Sequence, residues 1–417
     1  MRILSVTAQK VDSTGSGVFL TELVKGLRKL GCAQAVVCGT VPEDTIRLPE
    51  EVALFPVYYN CENLPFPICG MSDEMPYEST RYRDLTEEMT YQLFSAFRAR
   101  ITEAVENFRP DVILCHHLYF LAALVRQLYP DIPVYGQCHG SDLRQIRKNP
   151  WQREWIMSQI RNLNGIFALH QQQKETICET FCVPESLVTV MGTGYNSDVF
   201  FLNEAVRESR DPRKLRLIFA GKLSEKKGLF SLLRALRQLS YPQQVELVLA
   251  GGYGNATEYA EICRLAQVSP CPVTFLGRLS QQELALEMNK SDAFILPSFF
   301  EGVPLVLIEA MACGLKTICT DLPGIRHWLD QAIPVSGTIF VKPPRMRNED
   351  EPYPEDLPGF ETQLAEAIDT VRNRPSANLA LVQQVSWDAL CKKYCAIWNE
   401  PILRRYPHAR GYAPARM

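Results

Sequence analysis

The sequence predicts an α/β protein built as two Rossmann-like, doubly wound parallel-sheet domains. Three observations carry that reading. Short runs of Val, Ile, Leu and Ala alternate with amphipathic stretches along nearly all of the 417 residues. Several of these runs are continuously apolar, the pattern of parallel strands covered by helices on both faces. They also fall into two consecutive series, and a chain of this length exceeds one ordinary core.

The first series of expected strands covers residues 2–7, 34–38, 112–115, 134–138, 165–169 and 188–191. The second covers 215–220, 245–250, 273–276, 293–296, 316–319 and 338–341. Between them Glu204, Arg207, Glu208, Arg210, Asp211 and Pro212 interrupt the apolar pattern. Expected domains are therefore 1–203 and 204–385. Residues 386–417 are expected to form a helix packing across to the first domain, followed by a tail. Residues 342–359, with their prolines and acidic cluster, read as a surface loop.

The first helix shows how the elements are read. Leu20, Leu23, Val24, Leu27 and Leu30 follow the i, i+3, i+4, i+7 rule, and Gly31 supplies a stop. Ahead of it, Thr14-Gly15-Ser16-Gly17 is a small-residue turn from strand to helix. A dinucleotide fingerprint would require glycine where Leu20 stands, which disfavours NAD. A glycine turn opening a helix can still meet a phosphate or a sugar, so Gly17 is kept as a candidate.

Composition narrows the function classes. A net charge of −3 gives no electrostatic reason to expect nucleic acid as a partner. The first residues read as a strand rather than a signal peptide, and no apolar run approaches the ~20 residues of a membrane span. A cytoplasmic location is expected. The 14 cysteines are scattered, contain no C-x-x-C pair and often sit in apolar runs, as buried reduced thiols do.

The most specific run is 297–314, containing F-x-E-G-x-P-L-x-x-x-E-A-M-A-x-G. It follows an apolar strand, with Pro304 suited to a helix start and Gly314 to its end. Amides near 302–306 would face the crevice at the carboxyl end of the strand, where open α/β sheets bind ligands. Glu301 and Glu309 would be roughly 8–12 Å apart at ~1.5 Å per helical residue. That spacing suits two parts of one extended ligand, not a pair acting on one bond. Taken alone, each glutamate is equally well read as a helix-start or solvated charge. The run 219–228 ends another strand and brings Lys222, Lys226 and Lys227 to a second helix. Lysines there can balance a diphosphate: a charge pair at 4 Å contributes ~4 kcal/mol at an effective dielectric of 20, against ~0.3–1 kcal/mol from a helix dipole.

These segments, with Gly251-Gly252-Tyr253-Gly254 and 275–280, resemble the retaining glycosyltransferases of family four. The likeness is close over about 215–325 and looser elsewhere. It implies the GT-B architecture, two Rossmann-like domains facing a central cleft, and an enzyme that moves a sugar from a nucleotide-sugar to an acceptor hydroxyl. By this resemblance Glu301 faces the donor sugar, Glu309 the ribose, and Lys222 and Lys227 the diphosphate. Lys222 departs from the more frequent arginine, keeping charge but not the bidentate fork. Gly221, Gly252, Arg278, Phe300, Gly302, Val303, Pro304 and Leu305 complete the implied donor site.

In the first half, 135–144 looks like the strand-end histidine turn of the family, which implies His139 near the anomeric centre. Asp142 and Arg144 have three roles open to them: orienting His139, binding the acceptor, or pairing with each other. His116 and His117 are expected to face opposite sides of a strand and receive no role. The aromatic and proline-rich region 55–82, with Tyr77, reads equally well as an acceptor loop or as a loop with apolar anchors. The acceptor implied is a sugar, lipid-linked or small-molecule hydroxyl. Peripheral membrane contact through Lys392, Lys393, Arg404 and Arg405 has no support beyond their charge. No strand-end D-x-D is present, so neither a metal nor another cofactor is expected. The rivals are a GT-B epimerase, a phosphorylase, and a non-catalytic nucleotide-sugar binder. Donor turnover without acceptor, phosphate-dependent cleavage, and tight binding without turnover would distinguish them.

Overall fold

The structure, a computed structural model, describes all residues except 12, 73, 74, 209, 302, 303, 349 and 406–417, with 400–405 described by backbone alone. The chain forms two compact units, Met1–Gly192 with Trp387–Met417, and Thr193–Ser386. Residues 193–203, expected to close the first domain, thus belong to the second unit.

The first unit is built on a parallel sheet. Its strands are β1 (Arg2–Val6), β2 (Ala33–Thr40), β3 (Ala53–Tyr58), β6 (Val112–His116), β7 (Val134–Gln137), β8 (Gly165–Ala168) and β9 (Val188–Val190). They lie in the order β3-β2-β1-β6-β7-β8-β9. A short pair, β4 (Cys69–Gly70) and β5 (Thr80–Arg81), sits within the long connection after β3. Strand β3 escapes the sequence pattern because it contains Pro56, which cannot donate to a ladder. It survives at the sheet edge, paired with β2 alone.

The helix Gly15–Lys29 buries Leu20, Leu23, Val24 and Leu27, as its periodicity predicts. Leu30 is 38% exposed because it is already the C-cap, and Gly31 follows at φ +77°. Against this helix packs Trp387–Arg405, which buries Trp387, Leu390, Cys391, Tyr394 and Trp398 with Phe19, Leu23, Leu27, Tyr135 and Phe167. The helices come close at Gly26, where a Cβ would stand 2.5 Å from Cys391 Sγ. The Tyr394 hydroxyl donates to the side-chain oxygen of Gln137 on β7. The last helix is therefore part of the first unit's core.

The second unit carries β10 (Leu215–Ala220), β11 (Val245–Ala250), β12 (Val273–Gly277), β13 (Ala293–Leu296), β14 (Lys316–Thr320) and β15 (Ile339–Val341), all parallel. Their order is β12-β11-β10-β13-β14-β15. The chain winds one way from β10 to β12 and the other way from β13, so β10 and β13 flank the switch point where such sheets open a crevice. Among the described residues no helix is long and apolar enough to cross a membrane.

Candidate functional site

A cavity of about 860 Å³ lies in the second unit at the carboxyl ends of the strands around this switch point. After β10 the chain contributes Gly221, Lys222 and Lys227; after β11, Gly251 and Gly252; after β12, Arg278; after β13, Glu301 and Pro304. Glycine is required where these turns crowd together. A Cβ on Gly251, at φ +147°, would fall 1.8 Å from the carbonyl oxygen of Gly221. One on Gly228, at φ +70°, would fall 2.0 Å from that of Pro297. A Cβ on Gly252 would meet the Arg278 guanidinium stem, so Arg278 lies flat over this glycine.

Glu301 sits just after β13, its side chain 14% exposed. Its Oε1 accepts from Lys227 Nζ and from Ser298 Oγ, each at 2.7 Å. Both contacts use the same oxygen, and Oε2 has no donor among the described residues. Lys226 turns away to Asp350 at 2.6 Å, while Lys222 makes no ion pair among the described residues and lines the cavity.

The helix Leu305–Ala312 begins after Pro304 and ends at the C-cap Cys313, with Gly314 following at φ +79°. Val306 and Glu309 bring its open face to the cavity, while Leu307, Ile308, Ala310 and Met311 are buried behind it. Among the described residues no donor reaches the Glu309 carboxyl. Loss of solvent therefore pushes it up to about 7.

Of the expected donor residues, Gly221, Lys222, Lys227, Gly252, Arg278, Glu301, Pro304, Leu305 and Glu309 line this one cavity. Gly302 and Val303 lie outside the described residues. Phe300 does not line it: its ring is 53% exposed, because Phe299, at 3%, takes the inward place in the turn. Tyr253 and Leu279, which the sequence offers only within the segments that carry the resemblance, also form walls, as does Leu284, which was not singled out. Tyr253 stacks on Tyr259 at 4.0 Å, a contact that its glycine-rich setting does not foretell.

In the first unit His139 follows β7, with Gly140 at φ +90° opening the helix Ser141–Lys148. Its ring lies edge-on to Phe19 at 5.2 Å and stacks on His116 at 5.4 Å, with 3.2 Å between His139 Nε2 and His116 Nδ1. His117 tilts against it at 4.8 Å. The expectation that His116 and His117 point to opposite faces fails because β6 ends at His116. His117 then turns to φ +72°, outside strand alternation. Burial and the two neighbouring imidazoles hold His139 well below the usual histidine range, and burial takes His116 down to about 3. All three rings are neutral near pH 7.

Asp142 is corrected as an acceptor contact. It is fully buried, and its carboxylate accepts the backbone N–H groups of Leu118 at 2.8 Å and His139 at 3.3 Å. It positions the histidine turn. Arg144 does not pair with it, donating instead to Ser72 Oγ at 3.2 Å. The Gly17 amide is taken by the Thr14 hydroxyl at 3.2 Å as a helix cap. Tyr77 packs against the apolar core with Lys10 over its ring at 5.1 Å.

Two parallel-sheet units of this design, one with a cavity at its switch point, define the GT-B class. The family described as "Glycosyl transferases group 1" matches residues 203–347, and "Glycosyltransferase Family 4" matches 13–199. The chain belongs to this family of glycosyltransferases. Alpha-maltose-1-phosphate synthase of Mycobacterium tuberculosis is 23% identical, across 96% of this chain and 99% of that protein. Sucrose-phosphate synthase from Thermosynechococcus elongatus shares the fold with a TM-score of 0.63 at 16% identity, covering 97% of this chain and 100% of that one. Anabaena HepE in complex with UDP does so with a TM-score of 0.62 at 13% identity, covering 96% and 100%.

Proposed function

We propose that this chain is a retaining hexosyltransferase that uses a nucleotide-sugar donor and no metal. The observation that carries the reading is one cavity holding two carboxylates, Glu301 and Glu309, and two ammonium groups, Lys222 and Lys227. A nucleotide-sugar has the complementary order of hydroxyls, diphosphate and hydroxyls. The Oε2 of Glu301, without a donor among the described residues, suits a sugar hydroxyl, and the Glu309 carboxyl, likewise without one among them, suits the ribose. The UDP held by the similarly folded HepE supports a nucleotide ligand.

In this reading the bond between the anomeric carbon and the diphosphate oxygen breaks as the acceptor oxygen bonds to the same face. The acceptor proton passes to the departing phosphate. Lys222 and Lys227 stabilise the charge that develops on the diphosphate, and neutral His139 stands near the anomeric carbon as a hydrogen-bonding group. A cytoplasmic location belongs to the same proposal, supported by 14 free thiols, which suit a reducing compartment.

Metal independence rests on the lack of a strand-end D-x-D. Transfer from a screened panel of nucleotide-sugars should run undiminished in a chelator, and proton NMR of the product should show the donor's anomeric configuration. Transfer restored only by magnesium or manganese, or an inverted product, would refute the reading.

Glu309 makes the donor step sensitive to pH. Its carboxyl sits at about 7 in the free protein, above its unfolded value, so its stabilising contribution is present at low pH and lost as pH rises through 7. Ribose hydroxyls donate to the ionised form, so binding opposes protonation. Nucleotide-sugar affinity should therefore fall by up to ~10-fold per pH unit below neutrality. Glu309→Gln should bind more weakly and lose this dependence. Calorimetric titration at several pH values checks it, and an unaltered profile in the variant would remove Glu309 from the ribose.

A further inference from the structure

We propose that Cys32 and Cys395 form a modification site, a thiol pair that a peroxide converts into a disulfide fastening the last helix to the rest of the first unit. The site is independent of the transfer reaction. Its two sulfurs already touch, with 3.8 Å between Cys32 Sγ and Cys395 Sγ. The residues are 363 positions apart, so tertiary packing and not local chain makes the contact.

Regular structure holds both residues. At the end of the helix Gly15–Lys29 the N–H of Cys32 donates to the Leu27 carbonyl at 3.1 Å, and that of Gly31 to the Arg28 carbonyl at 2.8 Å. This pair of bonds is a Schellman end, which sets Cys32 directly ahead of β2. Cys395 lies within Trp387–Arg405, one turn after Cys391 and next to Tyr394, whose hydroxyl donates to Gln137. Cys32, Cys391 and Tyr394 are buried in one apolar cluster, with Cys395 at its margin. The seam between the helices therefore fixes where both thiols sit.

Position also selects this pair over the neighbouring thiol. Cys391 is fully buried with its S–H directed at the Leu23 carbonyl, and burial pushes it up to about 12. It stays a thiol. Cys395 is only half-buried and opens the pair to solvent. A hydrogen bond from Cys395 favours the Cys32 thiolate and holds that thiol below the usual cysteine range, although burial opposes it.

The chemistry needs one peroxide and no other reactant. The Cys32 thiolate attacks a peroxide oxygen, so that an S–O bond forms and the O–O bond breaks. The departing hydroxide takes the Cys395 proton and becomes water. The Cys395 sulfur then attacks the sulfenic sulfur of Cys32, the S–S bond forms, and the S–O bond breaks. The second hydroxide takes from solvent the proton that Cys32 had given up. Two electrons pass from the two sulfurs to the peroxide. The sulfurs close from 3.8 Å to about 2.05 Å, a movement within the sweep of one cysteine side-chain rotation.

The bond would close a loop that contains all of Thr193–Ser386. A cross-link over so long a loop restrains the unfolded first unit, while the second unit contributes neither cysteine.

The full chain, reduced and then freed of reductant, is titrated with hydrogen peroxide. Remaining thiols are capped, and the linkage is mapped by mass spectrometry of an unreduced digest. The expected product joins the peptides of Cys32 and Cys395 and is reversed by dithiothreitol. Its first-unit transition should rise by about 5–10 °C in calorimetry, with that of the second unit unmoved. Cys395→Ser, at a half-buried position, should melt near the reduced wild type and show neither linkage nor rise. No linkage, other linkages in place of this one, or sulfinic acid at Cys32 without linkage would overturn the proposal. So would a linkage that leaves the first transition where it was, or a rise that persists in Cys395→Ser. Mapping the wild type does not depend on how the variant folds.

Discussion

Glu301→Gln should lower sugar transfer by about 10²–10³-fold while nucleoside diphosphate affinity stays near wild type. The geometry explains the split. Oε1 is committed to Lys227 and Ser298 at 2.7 Å, and in the proposed reading Oε2 is the atom that meets the donor sugar. An amide keeps one oxygen for Ser298 but replaces the other with a donor, so a hydroxyl that donated to it now meets an N–H. The cavity keeps nearly the same volume. Removing the charge also loosens Lys227. If the main task of Glu301 is to hold that lysine, nucleotide affinity should fall together with turnover. Steady-state rates and titration with nucleoside diphosphate read the two effects separately. Normal turnover in the variant would end the assignment of Glu301 to the sugar.

The second large effect concerns stability. Trp398→Ala should destabilise the first unit by about 3–5 kcal/mol, since it removes a fully buried indole from the seam between Trp387–Arg405 and the sheet. Trp398→Phe should cost much less, because it keeps an aromatic ring and removes an indole N–H that has no acceptor among the described residues. Two units need not unfold together, so calorimetry should be analysed for separate transitions. The expected trace shows one transition moved down and the other, from the second unit, unmoved. A shift of both, or of neither, would contradict the placement of the helix in the first core.

Strand positions were legible because both sheets are parallel and covered on their faces, which makes their strands continuous apolar runs. Strand β3 was hidden because Pro56 is a strand breaker everywhere except at an edge, and edge position is a property of topology. The cavity was legible through its lysines and glutamates at strand ends, where backbone geometry and ligand chemistry require the same residues. Partners were not legible. The pairing of Lys227 with Glu301 joins two loops far apart in sequence. The burial of Asp142 depends on Leu118, which β6 brings beside it. His117 could not be placed either, since a left-handed turn at a non-glycine residue leaves no mark in composition.

The chain leaves the first unit after Gly192 and returns to it at Trp387. In order of synthesis, the second unit is therefore an insertion whose residues are contiguous and can complete their core as soon as they emerge. The first unit cannot. Its Phe19, Leu23, Leu27, Tyr135 and Phe167 wait uncovered until the whole of 193–386 has been made. Folding is thus last-in for the half that begins first. Apolar side chains left uncovered for that interval are the part of the nascent chain most open to misassociation.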